Sequence, residues 1–257
     1  TENANFVEVQ FKGDRKGFYI NSENIKLEPE DIVTVQGEKS GHDIGKITMI
    51  GELVALQMKR KKRDINKDPL KKIYRRSSKN DIEKWTASIK KEEEILEKAK
   101  RIIERLQLEM KLADVECQAD NSKATFYYTA EKRVDFRELI REYSAQFGVR
   151  VEMRQIGARQ ESAKLGGIGS CGRELCCSTW MTQFPSVSTA AARYQQLSIN
   201  PQKISGQCGR LKCCLNFELD GYAEALKEFP SSKARLRTKK GTAKFVKLDV
   251  FKRRMFY

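Results

Sequence analysis

The sequence contains one histidine, His42, among 257 residues. Because His42 has no partner histidine and lies in the segment SGHDIG, a loop position is favoured over a catalytic one, and catalytic triads and two-histidine metal sites are excluded. The GGIG segment at 166–169 is not followed by GK[ST], which excludes a phosphate-binding loop. A redox enzyme is the least favoured class, because neither a proton donor nor a substrate pocket is recognisable in the sequence.

Long apolar runs are also missing. Nowhere do about 18 apolar residues follow one another, the length that a membrane-spanning helix needs. The first residues, TENANFVEVQF, lack the basic flank and apolar core of a secretory signal. We therefore expect a cytoplasmic protein with no membrane span.

Acidic residues are in deficit: 35 Asp and Glu face 50 Lys and Arg, which leaves a net charge of +15. A surplus of this size predicts a polyanionic or acidic partner and says nothing about the fold. The basic residues concentrate in segments that could bind RNA directly or could form a solvated basic face. These segments are Lys59 to Arg63, then Lys71, Lys72, Arg75 and Arg76, and finally Lys252 to Arg254.

The first part of the chain has the alternation of β structure. Residues 6–58 contain FVEVQF, DIVTVQ and the longer run IGKITMIGELVALQM, separated by turn-forming segments. This predicts a small barrel-like sheet over residues 1–58. Because so few strands leave exposed edges, we expect a C-terminal hairpin within 236–257 to return and complete the sheet. Residues 59–80 are too charged to supply a buried face, so they are predicted to be a basic loop or linker.

A helical pattern begins at Asp81 and predicts one helix of about thirty residues, with Asn80 and Asp81 at its cap. Two alternating strands, a helix that stops at Gly148 and a third strand follow. The predicted class is therefore α+β, with an α, β, β, α, β layered unit leading into a cysteine-rich region. Together these form a predicted domain over residues 81–235.

Six of the seven cysteines fall within 44 residues and in a repeated frame. CGRELCC at 171–177 is answered by CGRLKCC at 208–214, and a glycine-containing segment precedes each copy. In a reducing compartment such a cluster indicates metal binding or redox chemistry rather than a disulfide framework. Two thiolates from each copy could close around one inorganic centre, and the candidate ligands are Cys171, Cys176, Cys177, Cys208, Cys213 and Cys214.

Several details of the repeat favour a cluster over a lone ion. Gly169 and Gly172 allow the main chain to approach closely and to donate N–H hydrogen bonds to sulfur. Arg173 and Arg210 can offset the negative charge of four thiolates around an iron–sulfide core. Adjacent side chains diverge, so Cys171, Cys208 and one member of each cysteine doublet are the predicted ligands. The sequence leaves open which member of each doublet that is.

Three other roles for the cysteines compete with a cluster. A structural zinc site is the first alternative, although zinc ribbons prefer CxxC pairs and the sequence has none. Redox disulfides between the copies would use the same residues. Burial as small apolar side chains is the plain interpretation of Cys117, which lies in DVECQAD away from the repeat.

The motifs GGIGSCGR with LCC and LSINPQKISGQCGRLKCCL resemble the bacterial YaaT/RicT family, over roughly residues 110 to 230. The C-terminal region of that family is similar to the yeast polymerase-suppressor protein. The resemblance implies a non-enzymatic regulatory adaptor that carries an iron–sulfur cluster, of the 4Fe-4S type. It also implies partners of the YlbF and YmcA type and an RNase Y-like endoribonuclease, and hence a role in RNA processing and cell fate such as sporulation. The alternative is a nucleic-acid-binding protein with a structural zinc site.

Overall fold

The computed structural model describes residues 5–13, 15–38, 40–61, 63, 69–231 and 233–257. The chain divides into two compact units, Thr1–Leu165 and Gly166–Tyr257. Both helices and antiparallel strand pairs are present, which confirms the α+β class. In the described part of the chain, no helix has the length and apolar composition that crossing a membrane requires.

A small closed barrel occupies the first part of the N-terminal unit. Its strands follow the ring order β1, β2, β5, β3, β4, and β4 pairs back onto β1. Val9, Val33 and Ile73 are among the buried side chains that fill it. The strands are β1 (Phe6–Gln10), β2 (Lys16–Ile20), β3 (Ile32–Gln36), β4 (His42–Ile50) and β5 (Lys71–Arg76). The barrel predicted near the N-terminus is therefore present, and His42 begins a strand rather than lying in a loop.

The strand that closes the barrel comes from an unexpected segment. β5 lies inside the predicted basic linker, where it pairs antiparallel with β3 and parallel with β2. The prediction that the C-terminal hairpin completes the sheet is wrong, because β5 takes that place. Ile73 is the one side chain of β5 that is fully buried, so the charged residues around it concealed the strand. Residues 62 and 64–68 of the predicted linker lie outside the described residues.

A helix also replaces the end of the predicted β run. The chain leaves β4 at Gly51, whose φ of +74° suits glycine, and enters α1 (Glu52–Arg60). Val54 and Met58 of α1 pack against Phe18 of the barrel. Leu53 and Leu56 point away from this contact and are 62% and 61% exposed. Alternation alone could not separate this short helix from a strand, because both patterns place apolar residues close together.

The long predicted helix is α2 (Lys79–Arg105), and it begins earlier than expected. Ser78, not Asn80, is its cap: the Ser78 hydroxyl accepts a hydrogen bond from the Asp81 N–H, and the Asp81 carboxylate accepts one from the Ser78 N–H. The backbone hydrogen bond from Ser78 lowers the pKa of Asp81 to about 2. The apolar face of α2 packs on a sheet through Ala99 and Ile103.

The predicted layered unit is confirmed by the order of elements after α2. The sheet β6–β7–β8 consists of β6 (Lys111–Cys117), β7 (Lys123–Thr129) and β8 (Arg150–Gln155), with α3 (Arg137–Phe147) between the last two strands and α4 (Ala158–Leu165) after them. Phe126 and Tyr143 meet in its core with ring centroids 4.5 Å apart. Cys117 lies in this core, and burial raises the pKa of its thiol to about 12. The interpretation of Cys117 as a buried apolar residue agrees with this position.

A charged network joins the barrel to the three-stranded sheet within the N-terminal unit. Arg15 donates to Asp43 at 2.7 Å and to Glu116 at 2.6 Å. Lys12 makes 2.8 Å contacts with Asp114 of β6 and with Glu92 of α2. Since the carboxylates are largely buried, these ion pairs set how the two sheets of this unit pack.

The C-terminal unit is built from short elements. Its helices are α5 (Cys176–Thr179), α6 (Thr189–Tyr194), α7 (Pro201–Ile204), α8 (Cys213–Phe217) and α9 (Leu219–Lys227). Two hairpins follow, β9 (Leu236–Thr238) with β10 (Gly241–Ala243), and β11 (Lys247–Asp249) with β12 (Arg254–Phe256). A small core of Ala191, Ala192, Ile204 and Leu215 joins α6, α7 and α8.

Candidate thiol site

Each CGRxxCC copy begins with the same tight turn. In the first copy, the N–H of Gly172 donates to the carbonyl of Gly169 at 2.9 Å, and the N–H of Gly169 donates to the carbonyl of Arg173 at 2.7 Å. Gly172 has a φ of +79°. This pattern is a four-residue turn whose last residue is left-handed, with Cys171 just before that residue. The glycine after the first cysteine is therefore required by the turn.

The second copy repeats the turn with almost the same dimensions. Gly209 donates to the carbonyl of Gly206 at 3.0 Å, Gly206 donates to the carbonyl of Arg210 at 2.8 Å, and the φ of Gly209 is +72°. Cys208 takes the position that Cys171 has in the first copy. Gly169 and Gly206 are also equivalent: a Cβ built on Gly169 would lie 3.4 Å from the Cys171 sulfur, and one on Gly206 would lie 3.9 Å from the Cys208 sulfur.

Replacing Gly172 with alanine is expected to lower the free energy of unfolding by about 1 kcal/mol, because a side chain disfavours the left-handed backbone. No atom lies within 4 Å of the added Cβ, so the cost is conformational. Denaturant unfolding followed by tryptophan fluorescence measures it. The matched control is Gly221→Ala in α9, where Cβ also meets nothing within 4 Å, and this change is expected to stabilise by about 0.5 kcal/mol. Equal effects of the two changes would contradict the assignment.

A short helix follows each turn and begins with the cysteine doublet. Leu175 and Lys212 precede α5 and α8 with nearly identical backbone angles, φ −59° and ψ 127° against φ −55° and ψ 126°. Cys176 and Cys213 are therefore the first helical residues, and Cys177 and Cys214 are the second. Successive helical residues point about 100° apart, so the two members of a doublet face different surroundings. Cys177 is buried, whereas Cys176 and Cys213 are half-buried.

The two copies face each other within the C-terminal unit. The side-chain amide of Gln207 donates to the carbonyl of Ile168 at 3.3 Å, which joins the second turn to the first. Trp180 and Phe217, at the ends of α5 and α8, meet edge to face with centroids 4.7 Å apart. These aromatics occupy the same place in the repeat, nine residues after Cys171 and Cys208, and both are more than half exposed. Extending the alignment by three residues would have found this pair.

The thiols of the two copies influence one another. Burial raises the pKa of Cys176, and negative charge on Cys213 and Cys171 raises it further. Burial also raises the pKa of Cys177, and negative charge on Cys213 raises it further. The pKa of Cys214 is raised first by burial and then by the negative charges of Glu218 and Cys213, while the positive charge of Lys212 lowers it. Cys213 thus interacts with thiols of both copies, and additional positive charge would be needed to hold several thiolates together.

The predicted cofactor-binding residues comprise two glycines in the backbone of a turn and two arginines with exposed side chains. Gly169 and Gly172 form the first turn, as described above. Arg173 and Arg210 are exposed, and within the described residues neither makes an ion pair or a side-chain hydrogen bond. They are free to approach an anionic group.

The described residues include no group of three Cys, His, Asp or Glu side chains arranged to hold a metal ion. Thiolate sulfurs are the ligands of both structural zinc and iron–sulfur clusters, so the six cysteines of the two equivalent segments fit either group chemically.

Two family descriptions match the sequence. The PSP1 C-terminal conserved region matches residues 71–156, and the third domain of PSP1-like proteins matches residues 186–229. The first match begins with β5, and the second includes the second CGRxxCC copy. The stage 0 sporulation protein YaaT of Bacillus subtilis is 38% identical over 252 residues, which is 97% of this chain and 88% of that protein.

The chain belongs to the YaaT family. An uncharacterized protein of Schizosaccharomyces pombe is 25% identical over 181 residues of this YaaT-family chain, or 62% of the chain and 24% of that protein. No solved structure matches. The family predicted from the cysteine motifs is therefore confirmed over nearly the whole length of the chain.

Proposed function

We propose that this YaaT-family protein is a non-enzymatic, cytoplasmic regulatory adaptor that holds a 4Fe-4S cluster between its two CGRxxCC copies and modulates RNA processing by an endoribonuclease complex. The observation that carries the proposal is the pairing of two equivalent turn–helix segments with mutually interacting thiols. The name of the Bacillus relative, a stage 0 sporulation protein, supports a regulatory role.

We assign the ligands to Cys171, Cys176, Cys208 and Cys213. Cys176 interacts with Cys171 of its own copy and with Cys213 of the other, and Cys213 is its structural equivalent. Cys177 also interacts with Cys213 and Cys208, but its side chain is buried, whereas Cys176 and Cys213 are half-buried. Cys177 and Cys214 follow one position later in their helices and would pack beside the site. When bound, a cluster would supply a redox-active inorganic centre. Gly172 and Gly209 would let the turns approach it, and Arg173 and Arg210 would reduce the repulsion between thiolates.

Iron and acid-labile sulfide in anaerobically purified protein test this proposal. The wild-type chain is expected to be coloured and to contain about four iron atoms per chain. The Cys176→Ser/Cys213→Ser variant is expected to lose the iron and the visible absorption, because two ligands are removed. The Cys177→Ser/Cys214→Ser variant is the matched control and is expected to keep both.

Three results would contradict the proposal in different ways. A wild-type protein with zinc and no iron would favour the structural zinc alternative. Iron that survives in the Cys176→Ser/Cys213→Ser variant would exclude these ligands. Equal iron loss in both double variants would show that the members of each doublet do not have separate roles.

The regulatory part of the proposal concerns protein partners, and the family resemblance points to YlbF- and YmcA-type proteins and an RNase Y-like endoribonuclease. Expression of this chain in a Bacillus subtilis strain that lacks YaaT is expected to restore spore counts, and the Cys176→Ser/Cys213→Ser variant is not. Restoration by that variant at equal protein levels would separate the regulatory role from the cysteines.

A further inference from the structure

Positive charge is concentrated on one segment of the barrel unit. Residues 59–76 contain ten Lys and Arg and two Asp, a net of +8 within a chain whose total is +15. Five of the described residues that are exposed form what we call the basic barrel surface: Lys59, Arg60, Lys72, Tyr74 and Arg76. None of these residues belongs to the cysteine site.

The fold brings the two described ends of this segment together on the barrel. Met58 of α1 and Leu70, which precedes β5, pack in the same apolar cluster as Phe18. The Lys61 ammonium lies 5.1 Å from the centre of the Phe18 ring, and the Arg63 guanidinium lies 5.7 Å from it. The end of α1 and the start of β5 therefore meet at Phe18, so their cations share one side of the barrel.

β5 contributes Lys72, Tyr74 and Arg76. Lys72 and Tyr74 flank the buried Ile73 and project on the opposite side of the strand. The pairing of β5 with β3 shifts register between Ile73 and Arg75, so Arg76 lies beyond a bulge. Alternate residues of a strand lie roughly 6.6 Å apart, so Tyr74, which is 46% exposed, lies close to Lys72. A half-exposed aromatic ring beside a cation is the usual arrangement for stacking a base next to a phosphate backbone.

The cations of this surface are available to an anion. Lys59, Arg60 and Lys72 make no ion pair with any of the described residues. Arg76 contacts Asp31, and the neighbouring Arg75 contacts Asp81 at 2.9 Å, but both arginine side chains are more than half exposed. Exposed ion pairs contribute at most about 1 kcal/mol and are weakened by salt, so phosphate groups can compete for these arginines.

We propose that the basic barrel surface binds single-stranded RNA, with phosphates on Lys59, Arg60, Lys72 and Arg76 and a base stacked on Tyr74. The inference extends the proposed function, because it assigns direct RNA contact to this chain. An acidic protein or an anionic lipid surface would also be attracted by the charge. Tyr74 favours RNA over the acidic protein, and a lipid surface would engage the exposed Leu53 and Leu56 of α1 instead.

Fluorescence anisotropy with a labelled, unstructured RNA oligonucleotide tests the inference across a range of salt concentrations. The wild-type chain is expected to bind with an affinity that falls steeply with salt. In Lys59→Gln/Arg60→Gln/Lys72→Gln, the slope of log affinity against log salt is expected to decrease by about 2, because roughly 0.7 of a counterion is released per phosphate contact. Tyr74→Ala is expected to weaken binding about tenfold, and Tyr74→Phe is expected to retain it.

Two matched variants control for general charge and for a lipid surface. Lys90→Gln/Lys132→Gln/Arg133→Gln removes the same charge from exposed positions outside this surface and is expected to leave the affinity within about twofold. Leu53→Ser/Leu56→Ser is expected to leave RNA binding unchanged. Iron is measured on the same preparations, so a failure of RNA binding and a failure of the cluster proposal are distinguished.

Absence of salt-dependent RNA binding would overturn the inference. An equal loss of RNA affinity in the two charge variants would also overturn it, because it would show that the net positive charge of the chain, and not this surface, attracts RNA. Equal RNA affinities for Tyr74→Ala and the wild type would overturn the stacking role of Tyr74. Binding to phosphatidylserine vesicles that depends on Leu53 and Leu56, without RNA binding, would assign the surface to a membrane instead.

Discussion

Arg15→Met is expected to lower the free energy of unfolding by about 3 kcal/mol. Arg15 lies between Asp43 of the barrel and Glu116 of β6, and both carboxylates have most of their side-chain surface buried. Tyr127 also donates its hydroxyl hydrogen to Glu116 at 2.8 Å, but it carries no compensating charge. Methionine fills a similar volume, so the expected loss comes from two carboxylates left without their cation. Denaturant unfolding at neutral pH measures it.

The matched control for Arg15 is Lys46→Met on β4. Lys46 contacts Glu30 at 2.7 Å, but this ion pair is exposed, so the change is expected to cost less than about 1 kcal/mol. Neutralising the two carboxylates together with Arg15, in Arg15→Met/Asp43→Asn/Glu116→Gln, is expected to recover a large part of the loss. Similar losses for Arg15→Met and Lys46→Met would show that the network does not hold the two sheets together.

Leu139→Ala is expected to destabilise the chain by about 3 kcal/mol, through lost apolar burial and the cavity that remains. Leu139 is 0% exposed and packs from α3 onto the core formed with β7 and α2. Leu53→Ala is the matched control, because Leu53 is also a helical leucine of the N-terminal unit but is 62% exposed. It is expected to change stability by less than about 0.5 kcal/mol. A large loss for Leu53→Ala would contradict the exposure of this face of α1.

Periodicity predicted the elements that have a full apolar face. α2, α3 and the strands β6 to β8 each pack several fully or partly buried side chains against one core, so their patterns repeat often enough to be recognised. The predictions failed where an element buries little. β5 buries Ile73 alone, and α1 buries Val54 and Met58 while exposing two leucines. The helix cap was misplaced by two residues because Ser78 and Asn80 are both suitable capping residues, and only the hydrogen bonds distinguish them.

The candidate site was predicted in part. Its six cysteines and the glycines of the turns could be named from the repeat, because a left-handed turn position demands glycine wherever it occurs. The contact between Trp180 and Phe217 was missed, although both copies place an aromatic residue at the same position. Which cysteine of each doublet faces the other copy depends on the direction of the helical side chains, which the sequence pattern does not specify.

By itself, the sequence determined the duplicated thiol frame, the turns that carry it and the family, since these depend on residue identity and local backbone preference. The tertiary structure decided the rest. A charged segment became the closing strand because β2 and β3 offered it backbone hydrogen bonds on both sides. The described cations at the end of α1 and at the start of β5 share a surface because Met58 and Leu70 pack on the same Phe18. Long-range contacts of this kind do not produce a hydrophobic periodicity in the sequence of the segments that make them.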